Sequence, residues 1–591
     1  MIKDRINLIN INILLEQYYI KLPSFQRAYT WGKKEIYQFL KDLEYYAINK
    51  NYFIGNIFGY LISDKELYII DGQQRITTLY LLLNGIRLID NKQFIGLNIS
   101  FFDDNDIARF DTEEASPFCH YLFNNDDLDT TYKSLVEESN KDFTKMNLYF
   151  GQKYICEFLE EHQKLKDEIV SIMKNLEIIL IFCEDSSYGY QIFENINSKG
   201  QALNNVDLIK NAFFNRIKNK RGEKDFNSFK YNLWKEIEEK FYTKLSEDDT
   251  FEKLAKKNAK SVSNFHQMFA YYNQLKFGKK HSRNSRQLYN NYVLKLDDMN
   301  QNQLKDELSK ILNITKAYNY VINPFDKSIP TLESVQNCII FLDNLGIKLY
   351  IPFAIALINK VEEGEYRNFK KEIKKLFCKI SVFHFIFNTV YSMKPSLVEN
   401  KYNSLAHDVY NNSIKFQKIK NQVEIITVET IENYIGIDFE SNCDNYRKNL
   451  YKVLFTTDRS GTPVKKAKGY KKSKDTLQIN FLLGIIEQFL KNDYSNIPTI
   501  DTVEHINCLK DAGKNEIYNF CIFNFLPLEK DINEACKDKN LSEKILIYKK
   551  SNYMLVKMFC ENYEKYKNNE ELLKENWEKE ITKILISLLK I

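Results

Sequence analysis

The clearest change of period along the chain falls between residues 68 and 86. Tyr68-Ile69-Ile70 is a short, β-rich apolar run and Asp71-Gly72-Gln73-Gln74-Arg75 is polar. Beyond it Ile76, Leu79, Tyr80, Leu83 and Ile86 recur at helical spacing. The pattern predicts a strand that passes through a glycine turn into a helix. Upstream, Phe53–Ile62 is strand-like, Ser63-Asp64-Lys65-Glu66 reads as a turn, and Leu67–Ile70 returns as a second strand. Glu35–Ala47 carries Ile36, Phe39, Leu40 and Leu43 on one side and predicts a helix. Lys21–Trp31 is extended or turn-rich, because Pro23 biases Leu22 away from helix. A small α/β unit follows from these elements.

Further along, Leu176–Phe182 reads as a strand, and residues from about 225 to 440 have long 3.6-period segments with few Gly or Pro. Two short strands are expected, one within Thr499–Ile506 and ended by Glu504-His505, the other opened by Asn524 within Ile522–Leu528, with a helix-like segment carrying Asn533 after them. The fold class expected is α+β multidomain: an α/β N-terminal domain over 1–225, a largely α-helical connecting region over 226–440, and a helical C-terminal domain over 441–591. A chain of 591 residues is too long for one core.

Composition narrows the class. At 44% hydrophobic and 28% charged the chain is globular rather than disordered. A net charge of +5 is small, so any surface for nucleic acid must be local. Ten scattered Cys without a Cys-x-x-Cys pair suit free thiols in a reducing compartment. The spacing of Cys508, Cys521, Cys536 and His505 fits no common zinc module. No signal-peptide pattern opens the chain, and the apolar run Leu349–Ile358 is too short to span a bilayer. A cytoplasmic protein with no membrane association is expected.

Candidate chemistry clusters in four places. A strand that opens a helix through Gly72 points main-chain N–H groups outward at the positive end of that helix. Arg75 in the first turn opposes the helix dipole unless an anion sits beside it. A phosphate would resolve the conflict, and so would pairing with Asp71. Second, Asn195 and Asn197 lie in the loop Phe193–Leu203, where they could hydrogen-bond a base or ribose, or only order the loop. Third, Lys465, Lys466, Lys468, Lys471 and Lys472 form a basic loop around Tyr470. It is suited to tracking DNA phosphates or, equally, to solubilising the surface. Fourth, Glu504-His505 ends one short strand, Asn524 opens the next, and Asn533 follows. A histidine beside a carboxylate can act as a general base near a cation held by oxygen ligands.

The N-terminal part resembles the ParB-like NTPase domain of the GmrSD family of modification-dependent (type IV) restriction enzymes, whose relatives include BrxU-like and SspE-like proteins. The resemblance rests on Pro23-Ser24-Phe25-Gln26-Arg27-Ala28-Tyr29-Thr30-Trp31, Phe53-Ile54-Gly55-Asn56-Ile57, Asp71–Leu79 and Phe193–Leu203 with Asp207. The C-terminal part resembles that family's ββα HNH-type nuclease domain through Val503–Ile506, Asn524–Leu528, Asn533 and Lys544. Two positions depart from the pattern: Cys508 stands where the family's His-x-x-Pro has proline, and Phe523 where a glycine precedes the Asn.

The resemblance implies an antiphage endonuclease that acts on double-stranded, modified phage DNA, nicking it or cutting both strands, under control of an NTP (GTP, ATP or another). Asp71, Gly72, Gln73, Gln74 and Arg75 would bind and help hydrolyse the nucleotide, with Gln26 and Arg27 on the phosphate side. No Walker-type P-loop sequence occurs in the chain. His505 would deprotonate the attacking water, Asn524 would orient its loop, and Glu504 and Asn533 would hold one Mg²⁺ or Mn²⁺. A homodimer is expected. The rival expectation is a nucleotide-switched DNA-binding or scaffold protein whose nuclease domain is inactive.

Overall fold

The computed structural model describes residues 6–23, 29–47, 53–95, 97, 99–112, 116–128, 143–183, 205–218, 228–241, 251–278, 286–323, 333–435, 443–453, 472–493, 500–507, 521–537 and 539–590. The chain forms two compact units. One comprises residues 1–270 and 281–312, the other residues 271–280 and 313–591. The helical stretch read from sequence as a single connector is therefore shared between the two.

The first unit is built on a six-stranded mixed sheet: β1 (Ile6–Asn10), β2 (Tyr19–Leu22), β3 (Phe53–Leu61), β4 (Glu66–Asp71), β5 (Phe110–Thr112) and β6 (Glu177–Phe182), in the order β1-β6-β3-β4-β2-β5. The expected β3–β4 hairpin is present and antiparallel, pairing Leu61 with Leu67 and Tyr60 with Tyr68. β2 lies on the other side of β4 and runs parallel to it, Ile20 opposite Leu67 and Lys21 opposite Tyr68. Strand alternation sends Ile20, Ile57, Leu67, Ile69, Ile178 and Leu180 into one core, where all are fully buried.

Helices Lys33–Ala47, Gln73–Ile89, Phe143–Glu161 and Gln163–Asn175 contribute to that core. Periodicity assigns the Gln73 helix a single apolar face. In the structure every residue from Ile76 to Ile86 is buried, Thr77, Thr78 and Asn84 included. A helix enclosed all round belongs to the centre of its domain. Asn84 pairs there with Gln152 at 2.9 Å, which satisfies its amide inside the core.

Between β6 and residue 500 the described residues contain helices and no strand. In the second unit a small hairpin, β7 (Thr502–His505) with β8 (Phe525–Leu528), sits among helices Lys472–Leu490, Met554–Tyr566 and Glu570–Ser587. Every residue of β8 is buried. Trp577 anchors the turn before it, donating its Nε1–H to the Phe523 carbonyl at 3.0 Å.

A buried carboxylate fixes one of these helices. The helix Met554–Tyr566 has no side-chain cap of its own. Instead Glu487, fully buried on the helix Lys472–Leu490, accepts the Leu555 N–H at 2.6 Å and the Met554 N–H at 3.0 Å. A carboxylate at a helix N-terminus satisfies open donors and complements the dipole. Glu487→Ala leaves two N–H groups without that acceptor and is expected to cost about 2 kcal/mol. The check is urea denaturation followed through Trp577 in a Trp31→Phe/Trp234→Phe background, where the midpoint should fall. An unshifted midpoint would show that the cap contributes nothing.

Candidate functional site

The N-terminal candidate site lies where β2 and β4 leave the sheet. Because the two strands are parallel, the chain beyond Leu22 and the chain beyond Asp71 emerge at the same end. Gly72 forms the turn with φ +94°, a left-handed conformation that glycine adopts without strain. It is the N-cap of the helix and brings no capping side chain. The first intrahelical bond runs from the Ile76 N–H to the Gly72 carbonyl at 3.0 Å.

Gln74 ties a second segment to this turn. Its Oε1 accepts the Thr30 N–H at 2.9 Å. The Tyr29 hydroxyl meets Thr78 Oγ1 at 2.9 Å, and Thr78 donates in turn to the Gln74 carbonyl at 2.8 Å. Asn147 Nδ2 holds the Tyr29 carbonyl at 2.8 Å. Burial pushes the Tyr29 phenol well above its ordinary range, so it remains protonated. Gln26 and Arg27 lie outside the described residues. Their flanks, Pro23 at the end of β2 and Tyr29 against the helix, both belong to the end of the sheet that carries the glycine turn.

Arg75 lies across the hairpin strand. Its Nη2 donates to the Asn56 carbonyl at 3.0 Å, while the Asp71 carboxylate is more distant at 3.9 Å. Both side chains are partly open to solvent, 26% and 31%. Gly55, at φ +99°, makes room: a Cβ there would lie 2.0 Å from Arg75 Nη1. Sequence reading offered Asp71 or an anion as the partner of Arg75 and missed the role of Gly55. Asn195 and Asn197 lie outside the described residues. β6, which precedes their segment, runs parallel to β3 and so opposite in direction to β4.

The C-terminal candidate site is a β-β-α arrangement of β7, β8 and the helix Lys530–Cys536. Glu504 faces Leu526 and His505 faces Phe525 across the hairpin. The His505 ring meets the Phe525 ring edge-on at 4.9 Å. Asn524, fully buried, accepts the Asn507 N–H on Oδ1 at 2.8 Å, and its carbonyl accepts the Ile506 N–H at 2.9 Å. It thereby fixes the chain just after His505. Asn533 reaches back from the helix, donating Nδ2–H to Thr502 Oγ1 at 2.8 Å. Thr502 and Glu504 share one face of the strand by alternation, so Asn533 approaches the face that bears Glu504.

Lys544 joins the group from the helix Leu541–Tyr548. Its Nζ, on a side chain only 4% exposed, donates to Glu504 Oε1 at 2.6 Å and to the His505 carbonyl at 2.8 Å. The Tyr548 hydroxyl reaches the same Glu504 oxygen at 3.4 Å. Burial, then the Glu504 charge, pushes the Tyr548 phenol well up and the Cys536 thiol up to about 11. The motif included Lys544, but only the fold shows its partner. Among the described residues no group of three or more His, Cys, Asp or Glu side chains is placed to hold a metal ion.

Residues 6–214 match the family described as GmrSD restriction endonuclease, N-terminal domain. The span holds all six strands of the sheet and the turn from Asp71 to Arg75. The similarity is to the N-terminal domain of that family and is confined to these residues. The β7–β8 hairpin lies beyond the matched residues. No curated protein matches the chain.

Of the two departures from the GmrSD pattern, Cys508 lies outside the described residues. Phe523 is fully buried and packs against Tyr451 with ring centroids 5.2 Å apart, so the core takes up the larger side chain. Lys465, Lys466, Lys468 and Lys471 also lie outside the described residues, and Lys472 is the first residue of its helix. Among the described residues no helix is long and apolar enough to cross a membrane.

The Asn524 geometry carries a direct expectation. Asn524→Ala removes the acceptor of the Asn507 N–H and should destabilise the second unit by roughly 1–3 kcal/mol. The same Trp577-reported denaturation measures it. A loss below about 0.5 kcal/mol, the usual range for a surface substitution, would mean that the side chain does not organise the loop after His505.

Proposed function

We propose that this protein is an NTP-regulated DNA endonuclease of antiphage defence that acts on modified double-stranded DNA in the cytoplasm. The reading is supported by the match of residues 6–214 to the N-terminal domain of the GmrSD restriction endonuclease family, together with one geometric observation. Asn533 bonds back to the strand that carries Glu504 and His505, while Asn524 fixes the chain just after that histidine. On this reading the second unit carries an HNH-type nuclease site and the first a ParB-like nucleotide site.

In the nuclease, His505 takes the proton of the water that attacks a DNA phosphate. Asn524 holds the loop that positions it. Glu504 and Asn533 are hard oxygen donors of the kind that suits Mg²⁺ or Mn²⁺. A divalent cation bound there would stabilise charge on the phosphate and on the leaving oxygen. At the nucleotide site, Arg75 and the open helix start meet the phosphates of GTP, ATP or another NTP. Gln26, Arg27, Gln73 and Gln74 complete the phosphate side, Asp71 supports Arg75, and Asn195 and Asn197 contact base or ribose. Lys465, Lys466, Lys468, Lys471 and Lys472 track the DNA backbone. Nucleotide turnover gates cutting, in a homodimer. The second reading, a nucleotide-switched DNA-binding protein with an inactive nuclease domain, draws on one observation: the contact oxygen of Glu504 is already taken by Lys544.

Two tests follow. Purified protein is incubated with unmodified plasmid, glucosylated phage DNA and phosphorothioated plasmid, in Mg²⁺ or Mn²⁺, with and without each NTP. Cutting of one modified DNA is expected, reduced at least about 100-fold in His505→Ala. No cutting of any DNA, with NTP hydrolysis intact, would favour the second reading. Gly55→Ala should displace Arg75 and lower NTP hydrolysis by roughly 100-fold, since a misplacement of about 1 Å can cost that much. In an Arg75→Ala background the same change should add little. Additive losses would separate Gly55 from Arg75.

A further inference from the structure

Lys544 contacts three oxygens at one point of the nuclease hairpin. Its Nζ donates to Glu504 Oε1 at 2.6 Å, to the His505 carbonyl at 2.8 Å and, more weakly, to the Ile506 carbonyl at 3.5 Å. An ammonium has three protons, and here each has an oxygen. A buried ammonium without a counter-charge is costly, and the Glu504 carboxylate 2.6 Å away supplies one here. Among the described residues the donors to Glu504, Lys544 and Tyr548, both land on Oε1.

We infer that Lys544 is the resident cation of this site: it holds Glu504 and the His505 strand end in place before any divalent ion arrives, and by its charge keeps the free protein's affinity for that ion low. The inference rests on reading Glu504 as a cation ligand of the nuclease. A divalent ion that approaches Glu504 meets a fixed positive charge on the same carboxylate. The repulsion is offset when a DNA phosphate enters with its own negative charge. The ion then binds well only with substrate, and the hairpin keeps its shape without either.

This assigns Lys544 a positioning role, and its signature lies outside catalysis. Lys544→Met removes the charge and keeps most of the side-chain length, and Lys544→Arg keeps the charge. Mn²⁺ binding to the full chain without DNA is read by electron paramagnetic resonance, and thermal stability by scanning in EDTA and in Mn²⁺. Wild type and Lys544→Arg should bind Mn²⁺ weakly and melt at the same temperature in both buffers. Lys544→Met should bind Mn²⁺ at least about tenfold tighter, because a like charge has gone. It should also melt lower in EDTA and recover in Mn²⁺. Adding Glu504→Gln to Lys544→Met should abolish both gains.

Unchanged or weaker Mn²⁺ binding by Lys544→Met would overturn the inference, as would a melting loss that Mn²⁺ fails to restore. Plasmid cleavage by wild type separates this from the reading beneath it. Cutting with unchanged Mn²⁺ affinity in the variant defeats the inference alone. A tightened Mn²⁺ site in a protein that cuts no DNA defeats the nuclease reading alone.

Discussion

A basic side chain drawn into a protein must place its donors on oxygens, and here the chain repeatedly supplies main-chain carbonyls. Arg75 is held by the Asn56 carbonyl in the β3 strand. Lys544 is held by the His505 carbonyl at the end of β7. Lys230, also buried, donates to the Phe214 and Ile217 carbonyls at a helix end. Asn56 lies beyond the last β3–β4 pair, Phe58 with Asp71, and the other carbonyls lie at a strand or helix end, so the cation and a carbonyl outside the regular ladder satisfy each other. In both candidate sites the same bond sets where the charge sits and how the adjoining loop is shaped.

At the N-terminal site the outcome depends on two glycines and a pair of parallel strands. Gly72 lets β4 turn into the helix without a capping side chain, and Gly55 leaves space for the guanidinium. The parallel β2–β4 pair brings a second loop to the same end. At the C-terminal site the hairpin is too small to be stable alone. It is held from outside by Trp577 on Phe523, by the helices around β8, and by Lys544 on the strand end.

Much of this was legible where neighbours in sequence are neighbours in space. The β3–β4 hairpin and the Gly72 turn follow from short apolar runs and a single glycine, and β6, β7 and β8 were likewise expected as short strands. What periodicity misses is burial decided by distant elements. The Gln73 helix reads as one-sided because Thr77, Thr78 and Asn84 are polar. Partners such as Tyr29 and Gln152, remote in sequence, satisfy two of those residues inside the core. The Gly55–Arg75 contact and the Lys544–Glu504 pair were invisible for the same reason: each joins residues 20 or more positions apart by side-chain geometry. β2 was missed as a strand: the stretch read as extended or turn-rich begins at Lys21, inside it, and four residues give too short a pattern to show alternation.

The central claim is that one chain carries a nucleotide site that gates a separate nuclease site. Hydrolysis of NTP and cutting of the sensitive DNA, measured in the same reactions for Arg75→Ala and His505→Ala, test it most directly. The account predicts that Arg75→Ala loses both activities, whereas His505→Ala loses cutting and keeps hydrolysis. Cutting at the wild-type rate by an Arg75→Ala protein that no longer hydrolyses nucleotide would contradict it.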